Sequence, residues 1–340
     1  MKKIIKASNK VEYGCIDELI DYNYQDFKLN DFFNNKMNSI KKKLAYHQFN
    51  YIGFICDDNV IGLAIVDLGY IRNIFCFIYN YEDGLILDFS KNFINKKNII
   101  FPRNPDEHNI NFKLNKTDYI KIKKSHISKK ISIDCNIKKL QINMDAKYSL
   151  ENKPLRVVNP SDMNRWTFTE KFSPIKPSDI KITFKGEELN FKIDNSFVIY
   201  DWTGGYLRRE TNWLWTSVSG KTIENNDFGI NLASFVNETY FPENAFWVNG
   251  TRTRFNNIIY DFDISDPYNE VWKIHNEQNT IKLNFKPLGE RNDNQNKWPI
   301  AKVWFRQFIG EFNGYIIDQN GNKHEIVDAH GFCEIHKSVW

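Results

Sequence analysis

The sequence lacks several features that would place a chain of 340 residues in a large, easily recognised class. No run approaches the ~20 consecutive apolar residues of a membrane-spanning helix, and the N-terminal MKKIIKASNKVEYG has no apolar signal core. The five cysteines are odd in number, widely spaced and without a CxxC pair, which argues against a disulfide framework or a zinc site. We therefore expect a soluble, unsecreted protein of a reducing cytoplasm.

The common signatures of nucleotide and hydrolase chemistry are also missing. There is no GxGxxG, P-loop, HExxH or GxSxG segment. The net charge of +4 comes from scattered lysines, without the clustered arginines of a nucleic-acid site. We predict no cofactor, no bound metal and no nucleic-acid partner, and expect the partner to be a small-molecule ligand.

Aromatic residues are the abundant class. They make up 15% of the chain, with 27 Phe and 16 Tyr, and this composition favours strands with large buried contacts. Helical spacing occurs only in residues 15–45, where Leu29, Phe32, Phe33, Met37 and Ile40 recur every 3 to 4 positions. We predict one short amphipathic helix in this N-terminal segment.

From Ala45 onward the apolar period is 2, which is typical of strands. Turn residues at Asp57–Asn59, Glu82–Gly84 and Lys185–Glu187 predict three hairpins, and a change of parity at Lys138-Lys139 predicts a bulge. Segment 148–163 contains two prolines and little alternation, so it is a candidate linker. Many short strands without intervening helices indicate an all-β sandwich or barrel, and two β halves of similar length suggest a duplicated barrel.

The stretch DWTGGYLRRETNWLWTSVSG (201–220) concentrates charged and aromatic residues. If it is extended from residue 206, alternation separates two faces. The residues of one face are Tyr206, Arg208 and Glu210, and those of the other are Arg209, Thr211, Trp213, Trp215 and Ser217. The strand is either a core strand with an Arg208–Glu210 ion pair or a pocket wall in which Arg supplies an anchor and Trp an apolar surface.

Two acidic positions and one histidine are candidates for proton transfer. Asp201 ends the apolar FVIYD strand, so it is either a carboxyl with a raised pKa or a turn cap. Gly204-Gly205 permit a positive φ, a close approach of a ligand or a bulge. Glu334 and His336 lie on one face of the C-terminal strand. They are either an acid/base couple, two ligands of a metal, or a structural hydrogen-bonded pair.

The segment FVNETYFPENAFWVNG clusters amides and acids beside a tryptophan. Such residues either satisfy loop backbone or line the rim of a pocket. The candidate ligand-binding residues from this segment and its neighbouring blocks are Asn231, Asn237, Glu243, Asn244, Trp247 and Arg306.

Seven segments in order resemble the bacterial family known as domain of unknown function 2804, over about Lys41 to Trp340. They are DLGY, RWTFTEK, DWTGGYLRRETNWLWTSVSG, FGINLASFVNE, PENAFWVNG, FRQFIGEFNG and GFCEIHKSVW. More distantly, FKGEELNFKIDNSFVIYDWTGG is similar to a stretch of the carotenoid 1,2-hydratase-like and AttH-like proteins.

The more distant resemblance implies a calycin-type fold with two lipocalin-like β-barrel halves, here 1–160 and 161–340. It marks Asp201 as the candidate acid. We expect a hydratase, cyclase or isomerase that acts by acid-base chemistry on a partly apolar molecule in a β-barrel pocket. The alternatives are a non-catalytic carrier of a lipophilic ligand and a carbohydrate-processing protein.

Overall fold

The computed structural model describes residues 1–94, 101–149, 152–236, 241–297 and 301–339. Within these ranges the chain is mostly strand, and its helical residues are α1 (Ser39–Leu44) and two 3-10 turns, Tyr24–Asp26 and Ile193–Asn195. In the described part of the chain, no helix is both long enough and apolar enough for a membrane crossing. The prediction of an all-β fold with a short N-terminal helix is confirmed.

The described residues form twenty-five strands. The strands before residue 206 are β1 (Lys2–Lys3), β2 (Gly14–Cys15), β3 (Ile20–Asp21), β4 (His47–Ile55), β5 (Asn59–Asp67), β6 (Arg72–Asn80), β7 (Gly84–Phe93), β8 (Glu107–Lys113), β9 (Tyr119–Ser125), β10 (Lys130–Ile137), β11 (Leu140–Lys147), β12 (Leu155–Asp162), β13 (Arg165–Ile175), β14 (Pro177–Phe184), β15 (Glu187–Glu188) and β16 (Phe197–Gly205). Those that follow are β17 (Glu210–Lys221), β18 (Asp227–Ser234), β19 (Ala245–Val248), β20 (Thr251–Arg254), β21 (Ile259–Asp261), β22 (Trp272–His275), β23 (Ile281–Lys297), β24 (Ala301–Ile317) and β25 (Lys323–Val339).

Three large sheets contain almost all of these strands. The eight-stranded sheet has the order β2-β12-β13-β16-β4-β5-β6-β7, and the six-stranded sheet has the order β15-β14-β11-β10-β9-β8. The nine-stranded sheet has the order β20-β19-β18-β17-β25-β24-β23-β22-β21. Strands β1 and β3 form a separate parallel pair. The pairing changes from the first two sheets to the third between β16 and β17.

The eight-stranded sheet is buried on both faces. On β16, Tyr200 and Trp202 belong to the core shared with the six-stranded sheet. Ile199, which precedes Tyr200 and so points to the opposite face, belongs to the smaller cluster shared with the nine-stranded sheet, which also contains Trp215 and Phe332. Because side chains alternate along a strand, odd-numbered residues of β16 face the nine-stranded sheet.

The nine-stranded sheet encloses an apolar core of its own. Phe228, Trp272 and Phe308 are completely buried in this core. Along β17, Leu214 and Val218 point into it. The odd-numbered residues of β17 between these two positions therefore point outward, toward the eight-stranded sheet.

The predicted hairpins at Asp57–Asn59, Glu82–Gly84 and Lys185–Glu187 are confirmed by the pairing of β4 with β5, β6 with β7 and β14 with β15. The predicted bulge at Lys138-Lys139 is wrong: both residues have positive φ (52° and 70°) and form the two-residue turn between β10 and β11. Such a turn resets the alternation as a bulge does, so the parity change alone did not distinguish them.

Two other assignments are corrected. The predicted helix covers only Ser39–Leu44, and Phe32 and Phe33 are 81% and 82% exposed instead of buried on a helix face. The predicted linker 148–163 contains β12, which pairs with β13 although it includes a proline. The division into domains 1–160 and 161–340 stays a prediction, and the strands from β12 to β16 complete the sheets of the first half.

Gly205 ends β16 in a conformation that favours glycine, with φ of 151°. A Cβ there would lie 2.4 Å from the carbonyl oxygen of Trp166 on β13. The positive φ that the sequence allowed at this glycine pair is confirmed for Gly205, and the close approach of the neighbouring strand also requires glycine there.

Candidate functional site

A cavity of about 520 Å³ lies between the eight-stranded and nine-stranded sheets. One wall comes from β4 to β6, β13 and β16, and the other from β17, β18 and β23 to β25. The cavity is separate from the apolar core of the nine-stranded sheet, in which Phe228 and Phe308 are completely buried. The expected pocket inside a β-barrel half stays a prediction. The volume is suited to a small organic ligand.

The register of the eight-stranded sheet brings three polar groups into one row. Asp201 on β16 pairs with Lys171 on β13 and with Tyr51 on β4. Residues directly opposite in neighbouring strands point to the same face, so all three side chains face the cavity. Tyr51 remains a neutral phenol because burial raises the pKa of its hydroxyl.

Asp201 forms a buried ion pair with Lys171, whose ammonium contacts Oδ2 of the carboxylate. The other oxygen, Oδ1, accepts a hydrogen bond of 3.3 Å from Thr203. The Lys171 ammonium also lies 3.8 Å from Oε2 of Glu243 and 4.5 Å from the ring centroid of Trp215. Lys171 is therefore the cation that neutralises two carboxylates at this wall.

The register of the nine-stranded sheet builds the opposite wall. Trp215, Glu334, Gln307 and Arg291 stand side by side on β17, β25, β24 and β23. In the next row, Trp213 pairs with His336. All of these except Gln307 line the cavity.

Glu334 is a buried carboxyl group of the cavity wall. It is 5% exposed, and burial raises its pKa to about 7. A hydrogen bond of 2.7 Å from Nε1 of Trp213 to Oε1 opposes this rise, as do the charges of Lys171 and Arg291. Its pKa therefore lies in the range in which a carboxyl group can both donate and accept a proton near neutral pH.

His336 is held neutral. Its ring stacks on the indole of Trp213 with centroids 3.7 Å apart and planes 3° from parallel. Burial lowers its pKa to about 3. The Glu334 carboxyl accepts hydrogen bonds from Trp213 and Gln307, and Trp213 contacts both Glu334 and His336. The three interpretations of Glu334 and His336 as an acid/base couple, metal ligands or a structural pair stay predictions.

Two other predicted residues support the tryptophan wall. Asn231 accepts a 2.8 Å hydrogen bond from Nε1 of Trp215 and donates one of 2.6 Å to the backbone carbonyl of Glu243. The side chain of Glu243 lines the cavity and accepts a 3.0 Å hydrogen bond from Thr169. Asn231 thus positions Trp215 without lining the cavity itself.

Three predicted residues are buried elsewhere. Tyr206 packs in the first core and donates to the carbonyl of Tyr24. Asn244 accepts from the backbone of Ala233, and Trp247 donates to the carbonyl of Lys153. Their hydrogen bonds explain their polar atoms, and none of the three lines the cavity.

The predicted charged anchors also lie outside the cavity. Arg208 reaches the carbonyl of Phe235, and Arg209 and Glu210 are exposed. Regular strand structure begins only at Glu210, so the expected alternation does not apply to Arg208 and Arg209. Arg306 forms a bidentate pair with Glu290 at 2.6 and 2.7 Å. The remaining candidate, Asn237, lies outside the described residues.

Sequence reasoning missed Tyr51, Lys171, Arg291 and Gln307. Lys171 lies in RWTFTEKF, where strand alternation was visible but the partner strand was not. Arg291 lies in the polar run GERNDNQNK, which carries no apolar period although β23 extends through it. In the sequence, the length of the neighbouring strand segments was the one feature that could have indicated that a strand continues through this polar run.

A second cluster of titratable groups lies between the six-stranded and eight-stranded sheets. The ligand atoms of Asp106, His126 and Glu170 lie within 4.8 Å of one another. Lys124 contacts one oxygen of Glu170 at 2.5 Å, and Arg156 contacts Asp106 and the second oxygen of Glu170. Because two cations already neutralise both carboxylates, this arrangement fits a buried ion network better than a metal site.

Comparison with known proteins agrees with the resemblance drawn from the sequence. The family profile described as Domain of unknown function (DUF2804) matches residues 17–340, and no curated protein matches the sequence. The structure of kievitone hydratase from Nectria haematococca aligns with a TM-score of 0.54 at 12% identity, covering 84% of this chain and 88% of that one. CghA with Sch210972 aligns with a TM-score of 0.55 at 7% identity, covering 99% and 96%. At these identities the similarity shows the fold alone.

Proposed function

The chain belongs to the family described as domain of unknown function DUF2804, and we propose that it is an enzyme that transfers protons to or from a partly apolar small molecule. Hydration, cyclisation and isomerisation all require such a step. The reaction takes place in the cavity between the two sheets, and Glu334 is the proton donor and acceptor.

The observation that carries this proposal is the buried Glu334 carboxyl at the cavity wall, whose pKa is raised to about 7. A catalytic acid-base group works best when its pKa lies near the working pH. Nε1 of Trp213 holds one carboxyl oxygen at 2.7 Å, and Nε2 of Gln307 lies 3.4 Å from the other. These donors fix the orientation of the carboxyl group toward the cavity.

Asp201 has a different role from the one expected of it. Its carboxylate is engaged by Lys171 and Thr203, which makes it a poor candidate for the proton donor. The Asp201–Lys171 pair faces Glu334 across the cavity and supplies a fixed dipole there. Charge that develops on a substrate during proton transfer is stabilised by such preorganised groups.

The walls favour a substrate with an extended apolar body. Trp213, Trp215 and Phe305 line one side, and Phe49 and Phe75 line the other. Rings of this kind bind planar or polyene carbon skeletons more readily than the hydroxyl-rich surface of a sugar. The name of kievitone hydratase, whose fold is similar, is consistent with the same reaction class.

Hydrogen exchange tests the proposal even while the substrate is unidentified. The protein is incubated in D₂O with a panel of alkenes and unsaturated carbonyl compounds, beginning with any molecule that co-purifies in native mass spectrometry. We expect deuterium incorporation into at least one compound with the wild type and at least a ~100-fold slower rate with Glu334→Gln, because general acid-base catalysis contributes about 10² to 10⁴ in rate.

The matched control is Glu325→Gln, which changes a carboxyl on the same strand β25 that pairs with Lys323 outside the cavity. It retains the wild-type exchange rate if the proposal holds. Equal exchange by wild type and Glu334→Gln overturns the assignment of Glu334. Binding of a co-purified ligand without exchange by either protein favours the carrier alternative.

A further inference from the structure

Arg291 is a buried arginine in the cavity wall. It is 1% exposed. Its Nε donates a 2.8 Å hydrogen bond to Oδ1 of Asp88. Among the residues that the structure describes, neither Nη1 nor Nη2 has a hydrogen-bond partner.

Aromatic rings surround this guanidinium group. Its central carbon lies 4.3 Å from the ring centroid of Phe75, 5.3 Å from that of Phe305 and 5.6 Å from that of Phe77. The rings stabilise the cation but accept no conventional hydrogen bonds from its N–H groups. Arg291, Phe75 and Phe305 all line the cavity.

Buried donors without partners are unfavourable, and arginine donors are the most costly because they are charged. Asp88 binds only the Nε side of the Arg291 guanidinium group. The Asp88 side chain is itself 34% exposed, so water weakens its compensation of the arginine charge. The remaining donors match two oxygens of one planar group.

We propose that Arg291 binds an anionic oxygen of the substrate, such as that of a carboxylate, phenolate or enolate. The substrate is then an apolar molecule with one acidic oxygen group at the end of the cavity near Phe75 and Phe305. This inference rests on the proposed function for its site and identifies the class of substrate that the site takes.

The position of Arg291 relative to Glu334 adds a constraint on the substrate. The two residues stand in one row, with Gln307 on the strand between them. Two strand spacings separate their backbones by about 10 Å. One small molecule can therefore carry both the acidic oxygen and the carbon that exchanges a proton.

Calorimetric binding of two isosteric probes tests the proposal. The probes are 2-naphthoate, which carries a carboxylate, and 2-naphthamide, which is neutral. We expect the wild type to bind naphthoate at least ~10-fold more tightly than naphthamide, because a charge-assisted pair is about twice as strong as a neutral one. Arg291→Gln abolishes that preference and changes the affinity for naphthamide less than ~3-fold.

Arg291→Lys and Arg252→Gln complete the design. Lysine keeps the positive charge but lacks the forked set of guanidinium donors, so Arg291→Lys retains only part of the preference for naphthoate. This variant tests the role of the forked donors even if folding of Arg291→Gln is impaired. Arg252 is another arginine of the nine-stranded sheet, bound to Asp17 away from the cavity, and its substitution leaves the preference intact.

Two results overturn the inference: a wild type without preference for naphthoate, or a folded Arg291→Gln protein that keeps the preference. The measurement needs no turnover, so it separates this inference from the proposed reaction. Loss of exchange in Glu334→Gln with an intact naphthoate preference supports both, whereas a preference without any exchange supports only the binding role of Arg291.

Discussion

The indole nitrogen of Trp213 donates a 2.7 Å hydrogen bond to the carboxyl of Glu334, which lies 121 positions further along the chain. The two residues lie on neighbouring strands, β17 and β25, and both face the cavity. The bond favours the charged form of the carboxyl group, while burial disfavours it. The proton affinity of the proposed catalytic group therefore depends strongly on this contact.

Replacement of Trp213 by Phe raises the pKa of Glu334 above its wild-type value of about 7. The substitution removes the hydrogen bond that lowers the pKa and keeps an aromatic ring in the wall. We expect a rise of about one pH unit, the effect of one hydrogen bond to a charged group. Infrared titration of the carboxyl band, with Glu334→Gln to assign it, measures the change. An unchanged or lower midpoint contradicts the assigned electrostatics.

Glu334 makes the protein less stable at high pH than at low pH. Its folded pKa of about 7 exceeds its ordinary value of 4.5, so between these values the folded state binds more protons than the unfolded state. Its contribution is present below pH 4.5 and is lost as the pH rises through 7. Between pH 4 and pH 8, the free energy of unfolding of Glu334→Gln therefore rises by about 3 kcal/mol relative to that of the wild type.

Urea unfolding of both proteins at the two pH values measures that difference. Comparing the change between pH values removes the constant cost of the substituted hydrogen bonds. The exposed variant Glu325→Gln serves as the control and shows no such trend. An equal difference between wild type and Glu334→Gln at both pH values would falsify the raised pKa.

Lys171→Met destabilises the protein more than Asp201→Asn. Removal of the ammonium leaves the carboxylates of Asp201 and Glu243 without their cation, whereas removal of the Asp201 charge leaves Lys171 with Glu243 at 3.8 Å. Breaking a buried pair costs about 3 to 5 kcal/mol. We expect Lys171→Met to lie at the upper end of that range and Asp201→Asn below it.

Chemical denaturation at pH 7 measures both variants. Lys221→Met is the control, because Lys221 pairs with Asp227 in a partly exposed position. Such pairs contribute about 1 kcal/mol or less. A cost for Lys171→Met no larger than that of the control would show that the cavity pair is not effectively buried.

Glu170→Gln destabilises the protein. Glu170 is completely buried and binds both Lys124 and Arg156. Its substitution removes the carboxylate that both cations share and leaves Asp106 beside them, at a cost of about 3 to 5 kcal/mol. The matched variant Asp145→Asn, in an exposed pair with Lys130, costs less than about 1 kcal/mol in the same denaturation experiment. Equal costs would contradict the buried network.

Local patterns predicted much of the fold but little of its assembly. The two-residue period is present on β10, where Ile131, Ile133 and Cys135 are buried on one face. It also placed Trp213 and Trp215 together, because that inference depends only on the two-residue period of a strand. The same rule failed at Arg208 and Arg209, where the chain crosses from one sheet to the other and is not a strand.

The sequence by itself determined that the chain forms strands, where many of its hairpins turn, and which side chains share a strand face. Only the tertiary structure decided that the functional faces meet between two sheets, that Lys171 neutralises Asp201, and that Arg291 enters the same cavity as Glu334. The reason is physical: strand alternation is a local consequence of backbone geometry, whereas the pairing of distant strands depends on how the whole chain buries its apolar surface.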